Sequence, residues 1–267
     1  MQKILLGPAG SPAKSTLEGI TEVKKLGLQA MEVQYTHGIK MNLALAEEVG
    51  KEAEKEKISL SIHAPYYINL LSTDPKILKA SRKRIIDSCH RGHLMNATKV
   101  VFHPGYYGKK SKEESYKMMK EELKIIQKEI RKKRWKIDIA PETMGRTFQF
   151  GNFEETIELV KELKCNFCID ISHIYALNHG KINYDYIFDQ IEKLRKDIHF
   201  HFQGIEYNKN GEKRHMVLNG NPGFKEFAKK LLDRKINATI ICESPVTWRD
   251  SLKMKKILEV LGYKFQG

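Results

Sequence analysis

Residues 99–105 read Lys-Val-Val-Phe-His-Pro-Gly, a short apolar run that ends on a histidine. An apolar run of this length is typical of a strand that is buried on both faces of a parallel sheet. Similar runs recur along the whole chain. The eight predicted strands cover residues 4–7, 30–35, 60–65, 100–104, 137–141, 167–170, 199–203 and 239–243.

Longer segments with helical periodicity separate these strands. The clearest covers residues 112–134, where apolar residues recur at steps of three and four and form one stripe. Asp74 and Pro75 mark another helix start, because aspartate caps a helix and proline fits its first turn. Further helices are predicted over residues 15–26, 42–57, 154–164, 184–196, 223–234 and 250–261. The alternation predicts a (β/α)8 TIM barrel that forms a single domain over residues 1–267.

The composition excludes several classes of protein. The 267 residues include 47 basic and 33 acidic side chains, and the resulting net charge of +14 attracts polyanions such as nucleic acid. No apolar run approaches the roughly 20 residues that cross a bilayer, and the first residues lack the order of a signal peptide. Four cysteines are too few for a disulfide scaffold, and Cys165 and Cys168 are predicted to be structural thiols of a buried strand. We therefore expect a cytoplasmic protein without a membrane span.

Six of the eight predicted strands carry an imidazole or a carboxylate at the carboxyl end, and in a TIM barrel these ends surround one mouth. The residues are His63, His103, Glu142, Asp170, His201 and Glu243, with His173 shortly after the sixth strand and His215 in a later loop. Such groups in one low-dielectric mouth need a cation to balance them. Mixed imidazole and carboxylate ligands suit Zn²⁺, Mn²⁺ or Fe²⁺, and this number of ligands suffices for two or three ions.

Seven short stretches resemble the endonuclease IV family of metal-dependent apurinic/apyrimidinic endonucleases. They are His63-Ala-Pro-Tyr66, Phe102-His103-Pro-Gly105, Pro141-Glu142-Thr143, Cys168-Ile-Asp170-Ile-Ser-His173, His201-Phe-Gln203, Arg214-His215 with Gly220-Asn221-Pro-Gly223, and Glu243-Ser-Pro245. The resemblance implies a TIM barrel with three zinc ions that cleaves the phosphodiester 5′ to an abasic site in duplex DNA. It also implies a metal-bound hydroxide as the nucleophile.

The resemblance divides the eight ligands among the three ions. It gives His63 and His103 to the first ion, Glu142 as a bridge between the first and second, Asp170, His201 and Glu243 to the second, and His173 and His215 to the third. Glu142 is therefore the residue on which catalysis is expected to depend. Tyr66 matches a family residue near the DNA-binding surface, and the protein is expected to act as a monomer.

The chain departs from the family pattern at the third ion. The family carries Asp-Arg-His there, with the aspartate as a zinc ligand, whereas this chain carries Lys213-Arg214-His215. Gly204 also replaces the aspartate that follows the motif of the seventh strand. One hypothesis is that the Lys213 ammonium replaces part of the ion's charge and, with Arg214, contacts DNA phosphate. The other is that Glu212 supplies the missing carboxylate from a shifted loop.

Two other functions fit parts of the sequence. A sugar isomerase or epimerase on the same barrel would use Glu142, Asp170, His201 and Glu243 to hold one ion. Such an enzyme needs neither a net charge of +14 nor the other histidines as ligands. A non-catalytic binder of DNA lesions would keep the fold with a degraded third site, but the retention of eight ligands argues against it.

Overall fold

Twelve strands and nine helices make up the described part of this computed structural model, residues 2–194 and 197–265. The strands are β1 (Ile4–Pro8), β2 (Ala30–Gln34), β3 (Ser59–His63), β4 (Lys99–Phe102), β5 (Gly105–Tyr106), β6 (Asp138–Pro141), β7 (Gln149–Phe150), β8 (Cys168–Asp170), β9 (Asp197–Phe202), β10 (Gly204–Asn208), β11 (Gly211–Met216) and β12 (Asn237–Cys242). The helices are α1 (Thr16–Lys25), α2 (Leu43–Glu56), α3 (Pro75–Leu94), α4 (Lys112–Lys133), α5 (Phe153–Leu163), α6 (Ile171–Leu177), α7 (Tyr184–Ile191), α8 (Phe224–Asp233) and α9 (Trp248–Val260).

Eight of the strands are parallel and close into a barrel. Pairing in the order β1, β12, β9 and β8 forms one half, and pairing in the order β2, β3, β4 and β6 forms the other. Isolated parallel bridges join the halves at both seams, one between Ala9 and Glu32 and one between Glu142 and Cys168. The predicted (β/α)8 fold is therefore confirmed.

The helices between the strands largely follow the predicted segments. The Asp74 side chain accepts the Lys76 N–H at the start of α3, with Pro75 in the first turn, as the sequence indicated. α7 ends at Ile191, earlier than predicted, because the chain turns before β9; residues 195 and 196 of that prediction lie outside the described residues. The short helix α6 was not predicted, and it begins directly after β8. Among the described helices, none is long and apolar enough to cross a membrane.

The inside of the barrel contains polar as well as apolar side chains. Val101, Ala140 and Cys168 form a small apolar cluster there. Glu32 and His199 are also almost completely buried, and a buried polar group is costly unless it finds a partner. All four cysteines are buried, as expected of structural thiols, although β8 begins only at Cys168.

Two pairs of short antiparallel strands that were not predicted lie beyond the carboxyl end of the barrel. β5 pairs with β7, and β10 pairs with β11 in a hairpin whose turn lies at Lys209 and Asn210. The hairpin is hydrogen-bonded to the loop after β6, where the Glu212 N–H donates to the Gly145 carbonyl at 2.7 Å. This contact fixes the hairpin over the mouth of the barrel.

Candidate metal centre

Glu142 lies at the centre of the mouth, directly after β6, and is completely buried. Its Oε2 atom lies 3.2 Å from His63 Nε2 and 3.3 Å from His103 Nε2. Its Oε1 atom lies 3.2 Å from His201 Nδ1 and 3.3 Å from His173 Nδ1. Each carboxylate oxygen thus faces a different pair of histidines, which is the arrangement of a bridging ligand.

The first group of donors consists of His63, His103 and Glu142, whose ligand atoms lie within 4.8 Å of one another. The His63 Nδ1–H donates to the Ala64 carbonyl at 2.8 Å, so that Nε2 is left to face the group. The Tyr66 ring stacks on the His103 ring at 5.2 Å with an interplanar angle of 16°. Tyr66 is still 43% exposed, and it therefore covers this group while presenting a face to solvent.

The second group consists of Glu142, Asp170, His201 and Glu243, again with ligand atoms within 4.8 Å of one another. Asp170 is held from two directions: Oδ1 accepts the His173 N–H at 2.7 Å, and Oδ2 accepts the Gln203 side-chain amide at 2.8 Å. The first of these bonds caps α6, so the helix start that follows β8 also orients a candidate ligand. Glu243 Oε2 lies 3.4 Å from His201 Nδ1 and completes the group.

The third group consists of His173, Glu212 and His215. The His173 Nδ1–H donates to the Thr143 carbonyl at 3.0 Å. Its Nε2 atom therefore faces the group and lies 3.3 Å from His215 Nε2 and 3.5 Å from Glu212 Oε2. The hairpin β10–β11 supplies two of the three donors, and α6 supplies the third.

Lys213 and Arg214 do not face the third group. The Lys213 Nζ atom lies 2.6 Å from Glu206 Oε1, and the Arg214 Nε atom lies 2.6 Å from Glu206 Oε2. Both side chains are more than half exposed on the outer side of the hairpin. The hypothesis that the Lys213 ammonium stands in for the third ion is therefore wrong in this structure, and the geometry agrees with the alternative that Glu212 supplies a carboxylate. A contact of Lys213 and Arg214 with DNA stays a prediction.

Burial and charge act against each other on the titratable groups of the mouth. Burial raises the pKa of Glu142, but the charges of His201 and His103 outweigh it and hold that pKa well below its usual value. Burial likewise opposes the ionisation of Glu243, yet His201 lowers its pKa to about 2. Burial lowers the pKa of His173, but Asp170 and Glu212 raise it well above the usual value. The carboxylates of Glu142 and Glu243 are thus charged, and the His173 imidazole holds a proton when no ion is present.

The donor set fits divalent ions of the zinc type. Each group offers three or four oxygen or nitrogen donors, the number that Zn²⁺ takes from a protein. Within the described ranges, no lysine or arginine forms an ion pair with the buried carboxylates of Glu142, Asp170 or Glu243. Buried carboxylates without a fixed cation are what a bound metal would neutralise.

The raised pKa values predict how metal binding depends on pH. Burial lowers the pKa of His63, but Glu142 raises it above 6.5, and the pKa of His173 is also raised. A raised histidine pKa stabilises the metal-free fold below about pH 6.5, and this contribution is lost as the pH rises through the raised value. Metal binding requires neutral imidazoles and therefore displaces these protons. Both effects make added zinc more stabilising at higher pH.

We therefore expect the zinc-induced rise in melting temperature to be larger at about pH 8 than at about pH 6. Differential scanning fluorimetry of metal-free and zinc-loaded protein at both values measures it. A zinc-induced rise that is equal at both values, or smaller at the higher one, would contradict the pKa directions given above.

Gly211 is a position at which the backbone itself shapes the third group. Its φ is +89°, a region that favours glycine, and a Cβ there would lie 2.0 Å from the Gly145 carbonyl oxygen. We expect Gly211→Ala to lower the free energy of unfolding by about 1–3 kcal/mol and to displace Glu212. Denaturant unfolding and zinc counting measure the two effects. Gly220→Ala is the matched control, because a Cβ at Gly220 meets nothing within 4 Å, and an equal loss in both variants would refute the assignment.

Comparison with known proteins decides the family. Residues 20–261 match the family described as xylose isomerase-like TIM barrel. The chain belongs to this family. It is 37% identical over 266 residues to an uncharacterized protein of Methanocaldococcus jannaschii. The alignment covers 95% of this chain and 96% of the relative. It is also 27% identical over 195 residues to a probable endonuclease 4 of Mycoplasmopsis synoviae. That alignment covers 69% of this chain and 68% of the relative.

Two solved structures share the barrel fold of this chain. Endonuclease IV from Thermus thermophilus superposes with a TM-score of 0.73 at 17% identity and covers 97% of this chain and 98% of its own. D-psicose 3-epimerase from Clostridium cellulolyticum superposes with a TM-score of 0.69 at 14% identity and covers 97% and 99%. At such identities these two structures show the fold alone. The curated relatives confirm the resemblance to endonuclease IV that was identified from the sequence motifs.

Two acidic residues that lie at the site were not among the eight ligands predicted from the sequence. Glu32 of β2 was not identified, although it is buried within 3.1 Å of His201 Nε2. Its signal was a single charged residue in the apolar run 30–33. Glu212 was predicted only as the alternative carboxylate of the third group; the Asn210-Gly211 dipeptide indicates a tight hairpin there but does not fix the direction of the Glu212 side chain.

Proposed function

We propose that this protein is a metal-dependent endonuclease that hydrolyses the phosphodiester 5′ to abasic sites in duplex DNA. The observation that carries the proposal is the position of Glu142, which has His63 and His103 on one carboxylate oxygen and His201 on the other. The second group alone would satisfy one ion. The presence of the first and third groups supports a centre of two or three ions.

The candidate ions are Zn²⁺, with Mn²⁺ or Fe²⁺ as alternatives. When bound, clustered divalent ions lower the pKa of a water molecule and neutralise the charge that develops during phosphodiester hydrolysis. Glu142 would bridge the first and second ions, and His173, Glu212 and His215 would hold the third. The protein orients these ligands through fixed partners. The Ala64 carbonyl accepts from His63, and the Thr143 carbonyl accepts from His173. The Gln203 side-chain amide donates to Asp170. Such partners set which atom of each ligand faces the ion.

Exposed aromatic side chains near the mouth support DNA as the substrate. Tyr66 and Tyr67 follow β3, and both are exposed. Tyr106 follows β4 and stacks on Phe148 at 6.0 Å, and this pair is exposed as well. Exposed aromatic clusters mark binding surfaces, and aromatic rings stack on nucleobases. The net charge of +14 favours capture of the phosphate backbone.

Basic side chains of the hairpin are available for the same partner. Lys213 and Arg214 share a single carboxylate, that of Glu206, and all three side chains lie at the surface. A DNA phosphate can therefore replace Glu206 at little cost, since exposed ion pairs contribute little to stability. The proposal includes a single-domain monomer that acts in the cytoplasm.

The proposal is tested with duplex DNA that carries one tetrahydrofuran abasic analogue. We expect a single nick on the 5′ side of the analogue, its loss after incubation with a chelator, and its return when zinc is added. Metal analysis of the same preparation should count two or three ions per chain. Undamaged duplex of the same sequence is the control, and a protein that holds its ions but leaves the abasic duplex intact would contradict the proposal.

A sugar isomerase or epimerase is the second candidate. It is favoured by the second group, whose four donors Glu142, Asp170, His201 and Glu243 are sufficient for one ion. The two candidates differ in the number of ions and in the substrate. One ion per chain, with turnover of a keto-sugar and no nicking, would support the isomerase. A lesion-binding protein would bind the abasic duplex without nicking it.

A further inference from the structure

A polar network inside the barrel lies directly beneath the second group. Glu32 of β2 is completely buried, and its carboxylate reaches across the interior to His201 of β9. We propose that Glu32 is a positioning residue that keeps the proton of His201 on Nε2, so that the Nδ1 lone pair faces the second group. This inference rests on the proposed metal centre and adds a residue that neither the motifs nor the ligand groups include.

The geometry of His201 separates its two ring nitrogens. Nδ1 lies 3.2 Å from Glu142 Oε1 and 3.4 Å from Glu243 Oε2, at the mouth. Nε2 lies on the inner side, 3.1 Å from Glu32 Oε1. This inner contact is short but does not have the geometry of a well-formed hydrogen bond, and Nε2 has no other hydrogen-bond partner within residues 2–194 and 197–265. Glu32 is therefore the carboxylate that faces Nε2, and the Cys168 thiol lies in the same buried cluster, with its sulfur within 4.8 Å of the His199 and His201 ligand atoms.

A carboxylate can impose a tautomer because it only accepts hydrogen bonds. A neutral imidazole carries one N–H and one lone pair, so a proton drawn to Nε2 by Glu32 leaves the lone pair on Nδ1. Nδ1 is the atom that faces Glu142 and Glu243. Without the carboxylate, the opposite tautomer would direct an N–H at the position of the ion.

Glu32 is itself held in place by side chains on its own strand β2, on the neighbouring strand β3 and on β9. Its Oε2 atom accepts the Ser61 hydroxyl at 2.9 Å and lies 3.1 Å from His199 Nε2. Its Oε1 atom accepts the Gln34 side-chain amide at 3.0 Å. Burial raises the cost of the charge, and these donors offset that cost. The carboxylate therefore cannot rotate away from His201 without losing bonds that no solvent replaces.

The first test measures zinc affinity, because a merely structural residue would not change it. Glu32→Gln keeps the size of the side chain but presents an amide that can donate to Nε2. We expect the zinc affinity of the second group to fall about 10–100-fold in a competition titration against a chromophoric chelator. The matched control is Glu122→Gln, which removes a buried carboxylate paired with Arg82 outside the barrel. The control should lower the stability of the metal-free protein but leave the zinc affinity unchanged.

The outcomes separate this inference from the proposed function. A wild-type protein that binds none of Zn²⁺, Mn²⁺ and Fe²⁺ overturns both. Wild type and Glu32→Gln that bind zinc with equal affinity overturn only the role of Glu32. A loss of affinity that Glu122→Gln matches also overturns it, because the effect would then come from the fold.

The second test does not use a Glu32 variant. Long-range proton–nitrogen spectra of zinc-loaded wild type with ¹⁵N-labelled histidine report which ring nitrogen carries the proton. We expect His201, assigned by its loss in His201→Asn, to show a protonated Nε2 and a zinc-bound Nδ1. Zinc on Nε2 would overturn the proposal, and it would indicate instead that Glu32, His199 and Cys168 hold an ion inside the barrel.

Discussion

Replacing Glu142 by glutamine is expected to lower the cleavage of abasic DNA by at least about 10³-fold, because metal-centred charge stabilisation contributes several kcal/mol. Glu142 is in contact with His63, His103, His173 and His201 through its two oxygens. An amide keeps one oxygen and loses the charge, so the two ions that the first and second groups would hold would lose their shared ligand. Single-turnover cleavage with saturating enzyme measures the loss.

The control for this variant is Glu206→Gln, which removes a partly exposed carboxylate of the hairpin outside the three groups. Its rate should remain close to that of wild type. Metal analysis of Glu142→Gln should show the loss of at least one ion per chain. A variant that retains its ions and cleaves at a near-normal rate would show that Glu142 is not the bridge.

Replacing Glu212 by alanine is expected to remove the third ion and to slow cleavage by about 100-fold. The reason is that the variant leaves only His173 and His215 in the third group, one donor fewer than the three that a zinc site usually takes from a protein. The size of the rate effect corresponds to about 3 kcal/mol of lost charge stabilisation. Zinc counting by mass spectrometry and single-turnover kinetics on the same preparation measure the two effects.

Lys213→Ala is the matched control, because Lys213 directly follows Glu212 on β11 but its ammonium pairs with Glu206 outside the third group. We expect this variant to keep all its ions and to lose only part of its affinity for DNA, with a weaker dependence on salt. The opposite result, ions lost in Lys213→Ala and kept in Glu212→Ala, would restore the first hypothesis for the third group.

The topology of the barrel explains why so much of the site could be read from the sequence. Carboxyl ends of parallel strands meet at one mouth, so His63 at the end of β3 and Glu142 directly after β6 had to converge once the alternation was recognised. The same reasoning applies to His103, His201 and Glu243. Their proximity is a consequence of strand order and needs no knowledge of loop structure. Which ions they hold stays a prediction.

The parts that could not be predicted depend on contacts between distant segments. Glu212 faces the third group only because its N–H bonds to Gly145 and because Gly211 adopts a positive φ, and neither follows from local pattern. Glu32 is similar, since a charged residue in a strand can point outward or inward until the register is known. The strand pair β5–β7 was missed because each strand has only two residues.

The hairpin β10–β11 is an insertion between one strand of the barrel and the helix that follows it. It brings Glu212 and His215 to the mouth, whereas the four donors of the second group belong to the barrel itself. Replacing this hairpin by a plain connection would remove two donors of the third group and leave the first and second groups, whose donors lie at the ends of barrel strands. The number of candidate metal groups could thus fall from three to two by a single deletion that spares every strand of the barrel.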